Sequence, residues 1–264
     1  LVKTGGVTTV HDVSFLIGPE WFKPRDRAIL SRTVPASCKR ASRIIAVSMT
    51  CQAEIERYIP AAVGKTRVVY NACPDWIKPI PRDEAAREVE TETGVQGPYM
   101  LTVGTRWPRK NMTLALEAAA QLPGAVAQKL VVTGKPGWGE ERLGERGVAV
   151  GYVNTRVLSA LYSAADLYLA PSRHEGFGIP LLEAFRCGCP VLCSSGGALP
   201  EVAGDAASVE TSWDPADWAR RIESLLGDPS KIEDLKKRGA ERERSFTWDL
   251  AARQTLDVYR EAAQ

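Results

Sequence analysis

Short runs of β-branched and apolar residues alternate with helix-period segments along this chain. That alternation restricts the fold more than any other feature. The runs fall at 7–10, 43–47, 67–70, 99–103, 129–133, 148–150, 167–170, 190–193 and 207–209. Helical patterns lie between most of them, at 52–58, 112–121, 155–164, 181–187 and 216–226. Strands alternating with helices predict βαβ units and parallel sheets. The runs are apolar throughout, as in strands covered by helices on both faces. The expected fold class is therefore α/β.

One stretch breaks the rhythm. Residues 73–98 hold Pro74, Pro79, Pro81, Gly94, Gly97 and Pro98 around a charged segment at 82–92. This reads as an interdomain linker carrying one short helix. Two or three strands precede it, and five or six follow, enough for a complete doubly wound domain. Residues 230–263 are charged and helical, with apolar positions at Phe246, Trp248, Leu250, Leu256, Val258 and Tyr259. A helix of that pattern should pack against something. The chain opens at Leu1 and is already strand-like by Val7, which reads as a segment missing upstream.

Charge and cysteine content narrow the classes. Lys plus Arg is 34 and Asp plus Glu is 32, a net charge of +2, which excludes a strongly polybasic nucleic-acid binder. No apolar run approaches the ~20 residues of a membrane-spanning helix, and no signal-peptide pattern is present. The six cysteines form no C-x-x-C pair. Cys187, Cys189 and Cys193 cluster in FRCGCPVLC, but the chain has only two histidines to complete a metal site. They read as small buried reduced thiols, with no metal expected and a cytoplasmic location implied.

Four groups of residues carry chemistry. In VGTRWPRKN, a strand ends at Val103, three cations follow (Arg106, Arg109 and Lys110), and a helix begins near Met112 with Asn111 as its N-cap. Ligands of open α/β sheets bind beyond the carboxyl ends of strands, and a helix N-terminus favours anions. The loop is a phosphate site or a solvated basic loop. In SRHEGFGIPLLE, Gly176 and Gly178 allow close backbone approach, and Pro180 suits the first helical position. The N–H groups at Phe177, Gly178 and Ile179 would face an anion, framed by Glu175 and Glu183. Carboxylates beside an anion suit a ligand that also carries hydroxyls, such as a nucleotide sugar. Glu183 alone also fits a plain early-helix glutamate. The third group, SSGGALPEV, is made of small residues after a strand and is a weak signal alone. The fourth, His11 at a strand end, is a structural histidine or a donor in a cleft.

Together these segments resemble the retaining glycosyltransferases of family 4, bacterial enzymes of GT-B architecture. The resemblance is carried by TVHDVSFL (9–16), RIIAVS (43–48), TRVVYNAC (66–73), VGTRWPRKN (103–111), residues 161–207 and FTWDLAARQTLDVYR (246–260). Its most specific element is EGFGIPLLE, with two glutamates eight residues apart. It implies a partial N-terminal Rossmann-like domain over 1–78 and a complete C-terminal Rossmann-like donor domain over 79–245. Residues 246–264 would be a helix crossing back to the first domain. It also implies site roles. Glu175 would meet hydroxyls of the transferred sugar and Glu183 those of the ribose. Lys110, with Arg109 and Arg106, would hold the diphosphate. Backbone at Gly176, Phe177, Gly178 and Ile179 would meet sugar and phosphates. His11 would approach the sugar from the N-terminal side, with Leu199 and Glu201 near ribose and base. Thr105 departs from the pattern, since many members carry arginine there.

The implied reaction moves a hexose-type sugar, with retention, from a GDP- or UDP-linked donor to an acceptor hydroxyl, with no cofactor and no metal. The catalytic set would be His11, Lys110 and Glu175. Two other readings remain: a donor-binding fragment without activity, and a GT-B sugar-nucleotide epimerase. A full enzyme of this kind would carry roughly 100 more residues upstream. The acceptor would be a glycan, a lipid-linked saccharide or a small molecule. PEWFKPRDR at 19–27 mixes aromatic and basic residues. It reads either as a peripheral contact with the inner membrane or as a packed helix start.

Overall fold

The computed structural model describes residues 5–138 and 143–264. In chain order the elements are β1 (Val7–Val10), α1 (Ser14–Ile17), α2 (Pro24–Arg40), β2 (Arg43–Ala46), α3 (Met49–Tyr58), β3 (Thr66–Val68), α4 (Arg82–Thr93), β4 (Tyr99–Val103) and α5 (Met112–Ala120). They continue as β5 (Lys129–Thr133), β6 (Gly147–Gly151), α6 (Thr155–Ala164), β7 (Leu167–Ala170), α7 (Ile179–Arg186), β8 (Val191–Ser194), α8 (Leu199–Ala203), β9 (Ser208–Glu210), α9 (Pro215–Leu226), α10 (Pro229–Glu243) and α11 (Trp248–Ala263).

The strands form two parallel sheets. The smaller runs β1-β2-β3 and the larger β6-β5-β4-β7-β8-β9. In the larger sheet the chain moves outward one way from β4 and then the other way from β7. The reversal between β4 and β7 is where a doubly wound sheet opens a crevice at its carboxyl edge. Strands β7 and β8 are buried along their whole length, because helices cover both faces. Met100, Leu116, Trp218 and Ile222 form the core under α5 and α9. The other face shares one continuous apolar cluster with the smaller sheet, from Ile44 and Ile55 through Phe177 to Leu161 and Phe185. Tyr70, Phe177 and Phe246 meet ring to ring at 5.5–6.1 Å at that junction.

Three local expectations change. The helix expected in a linker forms as α4, but it is docked on α6, burying Ala85 and Val89. Arg82 pairs with Asp166 beside it. The helix start read at 19–27 runs much further than its pattern shows, into α2, a helix of 17 residues with Pro35 inside it and only Cys38 buried. Residues 19–27 supply the start of that helix. The charged stretch at 230–263 is two helices, broken where Phe246 turns into the core. The second of them, α11, packs on β1 and β2 and closes over Ile45 and Val69 with Ala251 and Val258. All six cysteines are buried and unpaired. No helix among the described residues is long and apolar enough to cross a membrane.

Candidate active site

The crevice between β4 and β7 gathers the charged residues picked out from sequence. After β4 the chain passes Gly104, tightens into a 3-10 turn at Pro108–Lys110, and reaches Asn111. Asn111 adopts the left-handed region at φ 51°, alone among the described non-glycine residues. It holds the cap position of α5, yet its side chain makes no capping bond. The turn aims Arg109 and Lys110 across the reversal at the loop that follows β7.

Glu175 receives them. Its carboxylate accepts from Lys110 Nζ at 2.6 Å, Arg109 Nη1 at 2.9 Å and Ser172 Oγ at 2.6 Å. Arg109 also donates to the His174 carbonyl at 2.5 Å. Burial of Glu175 opposes its charge, but Lys110 and Arg109 outweigh that and lower its pKa to about 2. Both cations are thereby fixed at the crevice floor, Arg109 also facing Asp12. The loop fits because Gly176, Gly196 and Gly197 lack Cβ. One on Gly176 would lie 1.8 Å from the His11 carbonyl, and one on Gly197 would lie 2.3 Å from the Glu175 carbonyl.

Glu183 sits in the first turns of α7, behind Gly178 at φ 100°. It is buried, and Tyr162 donates its hydroxyl to Oε2 at 2.9 Å. Burial raises its pKa, against the hydrogen bond from Tyr162 and the nearby charge of Lys110. The two glutamates are thus pushed in opposite directions. Such divergence is characteristic of functional clefts.

The remaining candidates divide. His11 is exposed and lines a cavity of about 340 Å³ shared with Arg109, Asp12 and Trp107. Arg106 lies on the same loop, its backbone N–H bonded to the Lys135 carbonyl. Phe177 points into the aromatic junction, so that only its backbone faces the α7 start. Ile179 opens α7, with Pro180 second rather than first in the helix. Leu199 is buried close to Gly178. Glu201 reaches across to the start of α3. Its carboxylate caps α3, accepting from Met49 N at 2.8 Å, Thr50 N at 2.8 Å and Thr50 Oγ1 at 2.6 Å.

The structure adds residues that no motif singled out. Ser172 and Tyr162 hold the two glutamates. Ser48 caps α3 and donates to the Gly176 carbonyl at 2.7 Å, joining the two sheets' loops. His174 Nε2 lies 2.9 Å from Glu54 on α3, and its ring stacks on Trp21. His174 lay inside the quoted motif, but its partner is 120 residues away, beyond any local spacing rule. Among the described residues, no group of three or more His, Cys, Asp or Glu could hold a metal ion.

This arrangement has relatives. A family model described as glycosyl transferases group 1 matches residues 87–242. The O-antigen chain mannosyltransferase B of Escherichia coli is 34% identical over 96% of this chain and 70% of its own length. The serotype-specific mannosyltransferase WbdA of the same organism is 27% identical over 96% of this chain, which spans about a third (33%) of that protein. Among solved structures, Anabaena HepE in complex with UDP and glucose superposes with a TM-score of 0.77. It is 22% identical, over 95% of this chain and 70% of its own. The crevice, its cations and its paired glutamates thus stand in a GT-B fold, and the chain belongs to the group 1 glycosyltransferases.

Proposed function

We propose that the chain binds a nucleoside-diphosphate hexose, GDP- or UDP-linked, and transfers the sugar with retention to a hydroxyl of a glycan or lipid-linked acceptor. The observation that carries this is the Glu175–Arg109–Lys110 cluster at the reversal between β4 and β7. A diphosphate needs fixed positive charge, and here both cations are held in place before any ligand arrives. As the sugar–phosphate bond breaks, negative charge grows on the leaving oxygen. Preorganised cations favour that state without reorganising. The acceptor oxygen bonds to the anomeric carbon on the face the diphosphate leaves, and its proton passes to the departing phosphate oxygen. Glu175 anchors the cations and accepts from sugar hydroxyls. Glu183, steadied by Tyr162, accepts from the ribose. His11 lines the acceptor side. Residues 79–245 act as the donor-binding unit, with 1–78 and 246–264 forming the other wall.

The names of the E. coli relatives favour mannose as the sugar, and HepE favours a uridine nucleotide. Thermal shifts with UDP, GDP and their hexose conjugates separate the two, because a ligand bound only by the native state raises its melting point. Glu183→Ala should weaken nucleotide binding, and Glu175→Ala should impair transfer more than binding. Unchanged binding and kinetics in both variants would remove this site assignment. Assays with and without EDTA test metal independence, and proton NMR of the product tests retention.

A further inference from the structure

Two of the chain's tryptophans are exposed and line one pocket outside the glutamate–cation cluster. Trp107 is 46% exposed and Trp213 is 40% exposed. They line a cavity of about 350 Å³ with Arg173, Asn111, Thr113 and Glu117. Large aromatic side chains are highly buried on average, so two held in solvent around one hollow call for an occupant. Neither is a floppy surface residue. The Arg173 guanidinium lies over the Trp213 ring, 5.6 Å from its centre. The loop beneath Trp213 is fixed by the buried Trp218, which donates Nε1–H to the Ser212 carbonyl at 2.8 Å. Trp107 is pinned through its backbone, which donates to Thr105 at 2.7 Å and accepts from Lys110 at 2.8 Å.

The polar lining points to the ligand's chemistry. The side chains of Asn111, Thr113 and Glu117 make no hydrogen bond to any described residue, so donors and acceptors stand ready in the same pocket as the two indole rings. A sugar ring presents the complement, a C–H face for stacking and a rim of hydroxyls for hydrogen bonds. The pocket also connects to the site already described. Trp107 belongs both to its wall and to the cavity lined by His11 and Arg109. We infer that the Trp107–Trp213 pocket is a saccharide subsite, holding a sugar unit of the acceptor chain beyond the one that reacts. The inference rests on the transferase reading above for the word acceptor, but the binding it asserts is independent of catalysis.

Calorimetry with α-linked mannotetraose tests it, with methyl α-mannoside as the single-ring comparison and UDP and GDP as separate titrants. Trp213→Ala should weaken mannotetraose binding about tenfold or more, the loss expected for an aromatic anchor. Trp213→Phe should recover most of that affinity, and Glu117→Ala should also weaken it. Nucleotide affinity should stay the same in all three variants. Equal binding of mannotetraose to the wild type, Trp213→Ala and Glu117→Ala would overturn the inference. So would no binding to the wild type, or a Trp213-dependent response to UDP or GDP, which would make the pocket a nucleobase site. Glu183→Ala separates the two claims: loss of nucleotide with retention of mannotetraose supports both, and unaltered nucleotide binding removes the donor-site reading alone.

Discussion

Glu175 lies close to two cations and a hydroxyl in a buried setting, and its ionisation carries a stability consequence. Its pKa is about 2 when folded, against an ordinary value of 4.5. The unfolded chain therefore binds the proton more readily than the folded one. The resulting stabilisation, roughly 3 kcal/mol, is complete above about pH 4.5 and is lost as pH falls through about 2. Glu175→Gln removes it and strands Arg109 and Lys110 without their anion, a loss of about 3 kcal/mol or more at pH 7. Urea titrations should show the gap between wild type and variant narrowing by about 2 kcal/mol at pH 3; a constant gap would mean that the cations do not hold the carboxylate. Glu183 shows the opposite behaviour, because burial favours its neutral form and only Tyr162 and Lys110 resist. Lys110, Glu175 and Glu183 were legible in sequence because their motif is local. Ser172 and Tyr162, which hold them, were not, since serine and tyrosine are common and their partners appear only in three dimensions.

At the level of elements, the two sheets are joined by capping as well as by apolar packing. Helix α3 takes its N-terminal partners from Ser48 in its own chain segment and from Glu201 on α8. Burial opposes the charge of Glu201, but bonds from Thr50, Met49 and Tyr70 prevail and lower its pKa. Glu201→Ala should cost about 1–2 kcal/mol, the usual value of a lost cap. In Thr50→Ala the same substitution should cost less, because the two groups share one network; additive losses in a double-mutant cycle would exclude that coupling. The resemblance implied that Glu201 lies near the ribose and base. Its capping role spans 151 residues and has no sequence signature. Inner strands such as β7 and β8 were legible because their apolar runs are buried on both faces and cannot be mistaken for loops. Helix α2 was legible only at its start, for the converse reason. With one buried residue it shows no apolar stripe, and Pro35 reads as a break.

For the molecule as a whole, the six thiols report on global opening. All are buried and free, and burial pushes Cys51, Cys73, Cys187 and Cys193 up to about 12. A thiol must reach solvent as thiolate to react. A disulfide-exchange reagent at pH 8 should therefore label none of them quickly in the native protein, and all six in denaturant. Fast labelling of a subset would reveal a region that opens on its own. The alternation of strands and helices made the two-sheet plan legible, but which helix covers which sheet depends on packing at long range. Helix α11 illustrates this: it closes over β1 and β2, and its Glu261 pairs with both Arg43 and Arg67. That pairing sets an order of events during synthesis. Every strand of the larger sheet leaves the ribosome before α11 does, so that sheet can assemble while translation continues. The smaller sheet, translated before the larger, keeps Ile45 and Val69 uncovered until α11 emerges. A sheet made before the larger one is thus completed after it, and its apolar face needs protection meanwhile.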